Sequence, residues 1–204
     1  MRKVAAVILA AGQSTRFGAG PEGTKLAAGL DGKPLICHVA DAALVSRAHP
    51  VCLVTGHAEE KILSLLAGMD LFSVHNGAYA EGLSSSLKAG IAALPPDVRG
   101  AVILLADMPL VTPEIIDQLI ACFEAAPAEA EAVVPVREGR HGNPVLIGRG
   151  LFPEIAKLSG DRGAGGLLKQ AGRAILECSI DDEAIEIDVD TRPALNGLKR
   201  LPSV

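Results

Sequence analysis

An apolar run over residues 4–9 breaks abruptly into Ala10-Ala11-Gly12-Gln13-Ser14-Thr15-Arg16-Phe17-Gly18, and Lys25 stands seven residues beyond Gly18. Successive backbone N–H groups of a small-residue, Gly-containing turn can point into one concavity, and Arg16 and Lys25 bring the positive charge a triphosphate requires. Two carboxylates stand far downstream: Asp107 closes the strongly apolar run 100–106, and Asp190 closes the run 185–189. Carboxylates beside a phosphate cradle are hard oxygen ligands suited to Mg²⁺, with substrate phosphates completing the octahedron. Asp188 rivals Asp190, because residues two apart on an extended chain face the same way and spacing does not choose between them. This inventory fits nucleotidyl or phosphoryl transfer, which needs positioning and charge neutralisation more than a protein nucleophile.

Two familiar patterns are nearly matched and fail on context. Gly18-Ala19-Gly20-Pro21-Glu22-Gly23 spells the dinucleotide-binding spacing, but it contains a proline, lies well past the strand end and opens no helix. Gly18 to Lys25 has the glycine spacing of a P-loop, yet Thr24 precedes Lys25 where the lysine must follow its glycine directly. His38, His49, His57, His75 and His141 form no H-x-x-x-H pair, and no serine sits in a G-x-S-x-G elbow. Zinc chemistry and a nucleophilic serine therefore have little support.

Bulk properties narrow the partners. The 204 residues carry a net charge of −5 without any basic block, and there is one Tyr and no Trp. A nucleic-acid surface would need both phosphate-neutralising charge and stacking rings, so none is expected. No apolar run approaches the roughly 20 residues of a membrane span. The basic start and apolar segment at the N-terminus imitate an export signal, but the segment runs straight into the cradle and reads as a buried strand. Cys37, Cys52, Cys122 and Cys178 are scattered without a C-x-x-C pair, as expected of small buried hydrophobes in a reducing cytoplasm.

The elements that must hold these residues alternate between strands and helices. Strands are expected at 4–9, 51–54, 71–74, 100–106, 133–136, 143–147, 174–178 and 185–189, with helices at 35–45, 58–66, 84–94, from 112 onward, 151–158 and 165–170. Asp31-Gly32-Lys33 reads as a turn, and Pro34 suits the start of the helix at 35–45. Ser84, Ser85 and Ser86 either cap the helix they open or meet a ligand there. The length and alternation predict one α/β domain over 1–204, a three-layer α/β/α sandwich. The short connection 137–142 makes its mostly parallel sheet mixed.

Taken in order, Leu9-Ala10-Ala11-Gly12-x-Ser14-x-Arg16-Phe17-Gly18 with Lys25, Gly82 to Leu87, Leu105-Ala106-Asp107-Met108-Pro109, Gly142-Asn143-Pro144, Gly160-Asp161-x-Gly163-Ala164 and Asp188-x-Asp190-Thr191 resemble the MobA-like nucleotidyltransferases. Within that family they are most similar to the molybdenum-cofactor cytidylyltransferases. The resemblance implies a Rossmann-like mixed sheet and attack of a substrate phosphate on the α-phosphate of a nucleoside triphosphate, with pyrophosphate released. On matching positions it implies that Arg16 and Lys25 stabilise the triphosphate and that Asp107 and Asp190 hold Mg²⁺. It further implies that Ala10, Ala11, Gly12 and Ser14, with Gly82 and Ser86, border the nucleotide, and that Asn143 and Asp161 face the second substrate.

Ala11 resembles the CTP-using branch, where the GTP-using branch carries a second glycine. The implied acceptor is the phosphate of molybdopterin, with delivery to a molybdoenzyme or its chaperone as the step beyond. The interval before Lys25 resembles instead the methylerythritol-phosphate cytidylyltransferases, so another small phosphate ester is the same-fold alternative. Arg192 separates Thr191 from Pro193, where the family usually joins them. A non-catalytic nucleotide-binding cofactor chaperone is the alternative of another class.

Overall fold

The chain is described from a computed structural model over residues 2–14, 17, 23–127, 130–161, 163–168 and 174–198. β1 (Val4–Leu9) has all six residues buried, as a strand covered on both faces must. A 3-10 turn at Lys25–Ala27 leads to a small hairpin of β2 (Gly29–Leu30) and β3 (Lys33–Pro34). Asp31 and Gly32 both take positive φ (51° and 79°), which a two-residue hairpin turn demands of its central pair. α1 (Leu35–Val45) has the expected bounds, with Pro34 as its N-cap. β4 (Val51–Thr55), α2 (Glu59–Leu65), β5 (Phe72–His75), α3 (Leu83–Ala92) and β6 (Gly100–Leu105) follow.

α4 (Pro113–Ala125) starts as its sequence dictates. Thr112 Oγ1 accepts from the Ile115 N–H (3.4 Å), Pro113 stands in the first turn and Glu114 faces the positive end of the helix. β7 (Ala132–Arg137), β8 (Arg140–His141) and β9 (Val145–Gly148) form the reversed excursion, followed by short helices α5 (Phe152–Ile155) and α6 (Ala164–Leu168). β10 (Ile175–Ser179) and α7 (Arg192–Leu198) complete the described elements.

The large sheet has eight strands in the order β10-β7-β9-β6-β1-β4-β5, with β8 paired to β7. β1 is parallel to β4 and β6, and β4 to β5. β9 runs antiparallel between β6 and β7, and the two-residue β8 is antiparallel to β7, so the sheet is mixed. Period-two alternation splits the strand residues between two cores. Val4, Ala6 and Ile8 join α1, α2 and α4 on one face, while Val7 and Leu9 join α3, α5 and α6 on the other. This is the expected three-layer α/β/α sandwich.

Three local expectations need correction. Residues 185–189 form no strand: a 3-10 turn at Glu183–Ile185 is followed by extended chain crossing the tops of β6 and β9. Backbone ties override the strand propensity there. The Val189 N–H donates to the Asp107 carbonyl (2.8 Å), and the Asn143 N–H donates to the Ile185 carbonyl (2.8 Å). The expected helix at 151–158 is broken into a 3-10 turn at Arg149–Leu151 and the four residues of α5. The serines do not cap α3; its N-cap is Gly82, with no side-chain cap bond. Of the helix expected at 165–170, residues 169 and 170 lie outside the described set.

All four cysteines are free, and the tertiary fold brings together two that sequence spacing left apart. Cys122 on α4 and Cys178 on β10 have their sulfurs 2.7 Å from each other. Burial, then Cys122, pushes the Cys178 thiol up to about 12, which leaves it unreactive as a nucleophile at neutral pH.

α3 lies directly on β1 and β4, and Gly90 is the reason it can. A Cβ there would stand 2.5 Å from Val7 Cγ1 and 2.9 Å from Val54 Cγ2, both on stiff β-branched side chains. Overpacking of about 1–3 kcal/mol outweighs the helix-propensity gain of roughly 1 kcal/mol, so Gly90→Ala lowers the urea midpoint. Gly165, exposed in α6 with nothing within 4 Å of a built Cβ, has only the propensity term, so Gly165→Ala raises it. Urea titrations of the two variants against the parent read both signs.

Candidate functional site

The crevice sits where the chain changes direction across the sheet. From β1 the chain builds outward through β4 and β5, then returns to place β6 on the other side of β1. Ligands of open α/β sheets bind at such a switch point, beyond the carboxyl ends of the strands. Here that point holds a cleft of about 570 Å³, inside the roughly 300–1,000 Å³ range of small-molecule sites. It is lined by Leu9 to Ser14, Lys25, Tyr79, Gly82, Ser86, Leu105 to Asp107, Asp161, Asp188 and Asp190.

Its floor is ionic. Lys25 Nζ donates to Asp107 Oδ2 (2.6 Å) and Asp190 Oδ1 (2.9 Å), with the lysine side chain only 13% exposed. Burial by itself would lower the Lys25 pKa. The attraction of Asp107 and Asp190 outweighs it and holds the ammonium above its ordinary value. Asp107, Asp188 and Asp190 each bring a carboxylate oxygen within 4.8 Å of the others. Asp188 is therefore no alternative to Asp190; the structure assembles both. Partial desolvation on the cleft floor, then the like charges of Asp190 and Asp107, hold the Asp188 carboxyl above the usual range.

The donor set fits a small divalent cation. Three carboxylates against one ammonium leave a deficit of two positive charges among the described residues, and the ligand atoms are all hard oxygens. Sequence reading found Asp107 and Asp190 but could not add Asp188, whose membership depends on how residues 187–190 cross the sheet.

Apolar packing and close approaches hold these groups in place. Val189, between the two aspartates, is fully buried in a small cluster with Phe17, Ala28, Leu30, Leu35 and Leu195. That cluster pins the far end of the cradle loop to the acidic segment. Gly82 takes φ +106°, and a Cβ on it would lie 2.6 Å from the Gly160 carbonyl carbon and 2.7 Å from its oxygen. Only glycine lets the Gly160-Asp161 turn lie this close, and the Ser84 N–H donates to the Gly160 carbonyl (3.1 Å). Likewise a Cβ on Gly142 would lie 2.5 Å from the Ile185 carbonyl oxygen.

The residues singled out by sequence thus gather as follows. Ala10, Ala11, Gly12, Ser14, Lys25, Gly82, Ser86, Asp107, Asp161 and Asp190 all line the cleft. Asn143 does not; it lines an adjoining hollow of about 250 Å³ that shares Leu105 and Asp188 with the main cleft. Arg16 lies outside the described residues. Sequence reasoning missed Tyr79, Leu83 and Leu26 in the lining, whose apolar bodies gave no chemical signal. It also passed over Asn76, buried beneath the wall, although an Asn-Gly pair closing a strand marked the spot.

Residues 6–175 match the model of the MobA-like NTP transferase domain. A protein of Paenarthrobacter nicotinovorans described as a nicotine blue oxidoreductase is 31% identical over 195 residues, 92% of each chain. A 2-C-methyl-D-erythritol 4-phosphate cytidylyltransferase of Streptomyces avermitilis is 36% identical over 141 residues, 65% of this chain and 53% of that one. The crystal structure of Rv0371c from Mycobacterium tuberculosis H37Rv superposes with a TM-score of 0.84 at 25% identity, covering 97% of this chain and 98% of the other. Its complex with manganese superposes at 0.80, also at 25% identity, over 98% and 99% of the two chains. With a match that runs from within β1 to the first residue of β10, the chain belongs to the MobA-like NTP transferase family.

Proposed function

We propose that this protein is a Mg²⁺-dependent cytidylyltransferase that transfers CMP from CTP to the phosphate of molybdopterin. The observation that carries the transferase reading is the single cleft in which the cradle loop faces Lys25 and three converging carboxylates. An acceptor phosphate oxygen attacks the α-phosphorus, the bond from the α-phosphorus to the bridging oxygen breaks, and pyrophosphate leaves. Backbone N–H groups of Ala11 to Ser14 orient the triphosphate, and the Lys25 ammonium stabilises its charge. By family resemblance, Arg16 would share that role. Asp107, Asp188 and Asp190 would hold the divalent ion, which supplies charge neutralisation on the α-phosphate and the leaving pyrophosphate. The manganese complex of Rv0371c supports a divalent ion in this fold.

Ala11 supports CTP over GTP, and the smaller hollow with Asn143, next to Asp188, suits the acceptor. No helix among the described residues is long and apolar enough to cross a membrane. Together with four free cysteines, this supports work in a reducing cytoplasm.

A second reading is favoured by one finding: a relative covering 92% of both chains is described as an oxidoreductase. In that reading the same cleft would take a redox-active substrate with an electron carrier, and the carboxylates would serve only to organise Lys25.

The deciding experiment measures pyrophosphate release from CTP, GTP, ATP and UTP with Mg²⁺, using molybdopterin and methylerythritol phosphate as acceptors. A parallel arm measures acceptor-dependent oxidation of reduced nicotinamide dinucleotides. Pyrophosphate release specific to CTP and molybdopterin is expected, and Asp107→Asn should lower turnover about 10²–10³-fold, the scale of losing one preorganised charge-stabilising group. Preference for GTP would overturn the Ala11 argument, and turnover confined to the redox arm would install the second reading.

Proton competition sets a further expectation. Metal binding needs the carboxylates ionised, and Asp188 keeps its proton to higher pH than an ordinary aspartate. Mn²⁺ affinity, read from the electron paramagnetic resonance of the free ion, should therefore fall on acidification earlier than for a normal carboxylate site. Asp188→Asn should weaken binding and move that fall to lower pH.

A further inference from the structure

The cleft wall above the acidic floor has a hydrogen-bond polarity that can be worked out atom by atom. Asn76 follows β5, is 5% exposed, and donates its backbone N–H to the Thr55 carbonyl (2.8 Å). Its amide has one allowed orientation. The Ala78 N–H lies 3.0 Å from Oδ1, and because a backbone N–H only donates, the oxygen must face Ala78. The NH₂ group therefore faces α3, where its two protons go to Ser85 Oγ (2.8 Å) and Ser86 Oγ (3.0 Å).

The two serines then part company. Ser85 passes its own proton to the Gly82 carbonyl (2.8 Å). Ser86, 6% exposed and part of the cleft lining, accepts from Asn76 and donates to no acceptor among the described residues. Asn76 engages one lone pair of the Ser86 oxygen and can take nothing from it, so the hydroxyl proton is left for whatever fills the cleft. A buried donor left without a partner is costly, which favours a ligand presenting an acceptor there.

We propose that Asn76 is a positioning residue that sets Ser86 as a hydrogen-bond donor to the nucleobase. The site thereby selects a base edge carrying a ring carbonyl or an unprotonated ring nitrogen. This inference rests on the nucleotide reading of the cleft. The polarity inverts with one isosteric change: in Asn76→Asp the carboxylate keeps the Ala78 bond but accepts from both serines. The Ser86 proton then turns inward, and only oxygen lone pairs face the base.

The test is calorimetric binding of CTP, and separately of inorganic tripolyphosphate, in the presence of Mg²⁺. The proteins are the parent, Asn76→Asp, Ser86→Ala and the double variant, each checked for an intact thermal transition. Both single variants should weaken CTP about tenfold, the scale of one hydrogen bond, and leave tripolyphosphate binding unchanged. The double variant should bind no more weakly than either single one, because Asn76 acts only through Ser86. The inference is overturned by losses that multiply in the double variant, by equal weakening of tripolyphosphate, or by Ser86→Ala binding CTP like the parent. That last comparison decides the matter even should Asn76→Asp not fold. A parent that binds CTP no better than tripolyphosphate would remove the nucleotide reading itself, which separates that failure from failure of the Asn76 assignment.

Discussion

The parallel register of β1 and β6 is the constraint on which the site depends. Leu9 pairs with Leu105 at the last position of the ladder, and the Ala106 N–H still donates to the Leu9 carbonyl (3.3 Å). The cradle loop and Asp107 therefore leave the sheet at the same height, side by side. A slip of one residue would turn every side chain of β1 to the opposite core. That is prevented by the sorting of Val4, Ala6 and Ile8 from Val7 and Leu9 between two differently built apolar layers. The chemistry at the strand ends is thus held by residues that carry no chemistry.

Above this base the site carries an electrostatic load that folding alone would not select. Lys25 sits between Asp107 and Asp190 with Asp188 beside them, and partial desolvation with these like charges holds the Asp188 carboxyl above its usual range. Ionic clusters of this kind are poor sources of stability, since desolvation offsets much of the attraction. Their offset comes from outside the cluster: Val189 sits fully buried among Phe17, Leu35 and Leu195, and its N–H is tied to the Asp107 carbonyl. Apolar packing on both sides of the acidic segment holds like charges closer than they would settle by themselves. A bound divalent cation would bring the two positive charges that the cluster lacks.

Much of this was legible in the sequence. Residues whose roles depend on local rules stood out. The apolar lead of β1, the Asp31-Gly32 turn and the Thr112-Pro113-Glu114 start of α4 all follow from propensity, φ restriction and capping. Asp107 was visible because a strong strand ended on it. Less legible were residues whose neighbours come from distant chain. Residues 185–189 read as a strand, but their backbone groups find partners at Asp107 and Asn143 instead of along a ladder. Ser84 to Ser86 read as caps or as ligand contacts, and the structure caps α3 with Gly82 while Asn76 claims two of the serines.

Sequence by itself determined the α/β class, the cradle loop and most of the polar inventory of the cleft, because periodicity, glycine placement and charged residue types are local properties of a chain. Tertiary structure alone decided that Asp188 joins Asp190 instead of competing with it, and that Lys25 lies between two carboxylates drawn from distant segments of the chain. It also decided which proton Ser86 has to offer. Each of these is settled by distances of a few ångströms between segments far apart in the chain, and hydrogen-bond direction and charge proximity depend on those distances, not on spacing along the sequence.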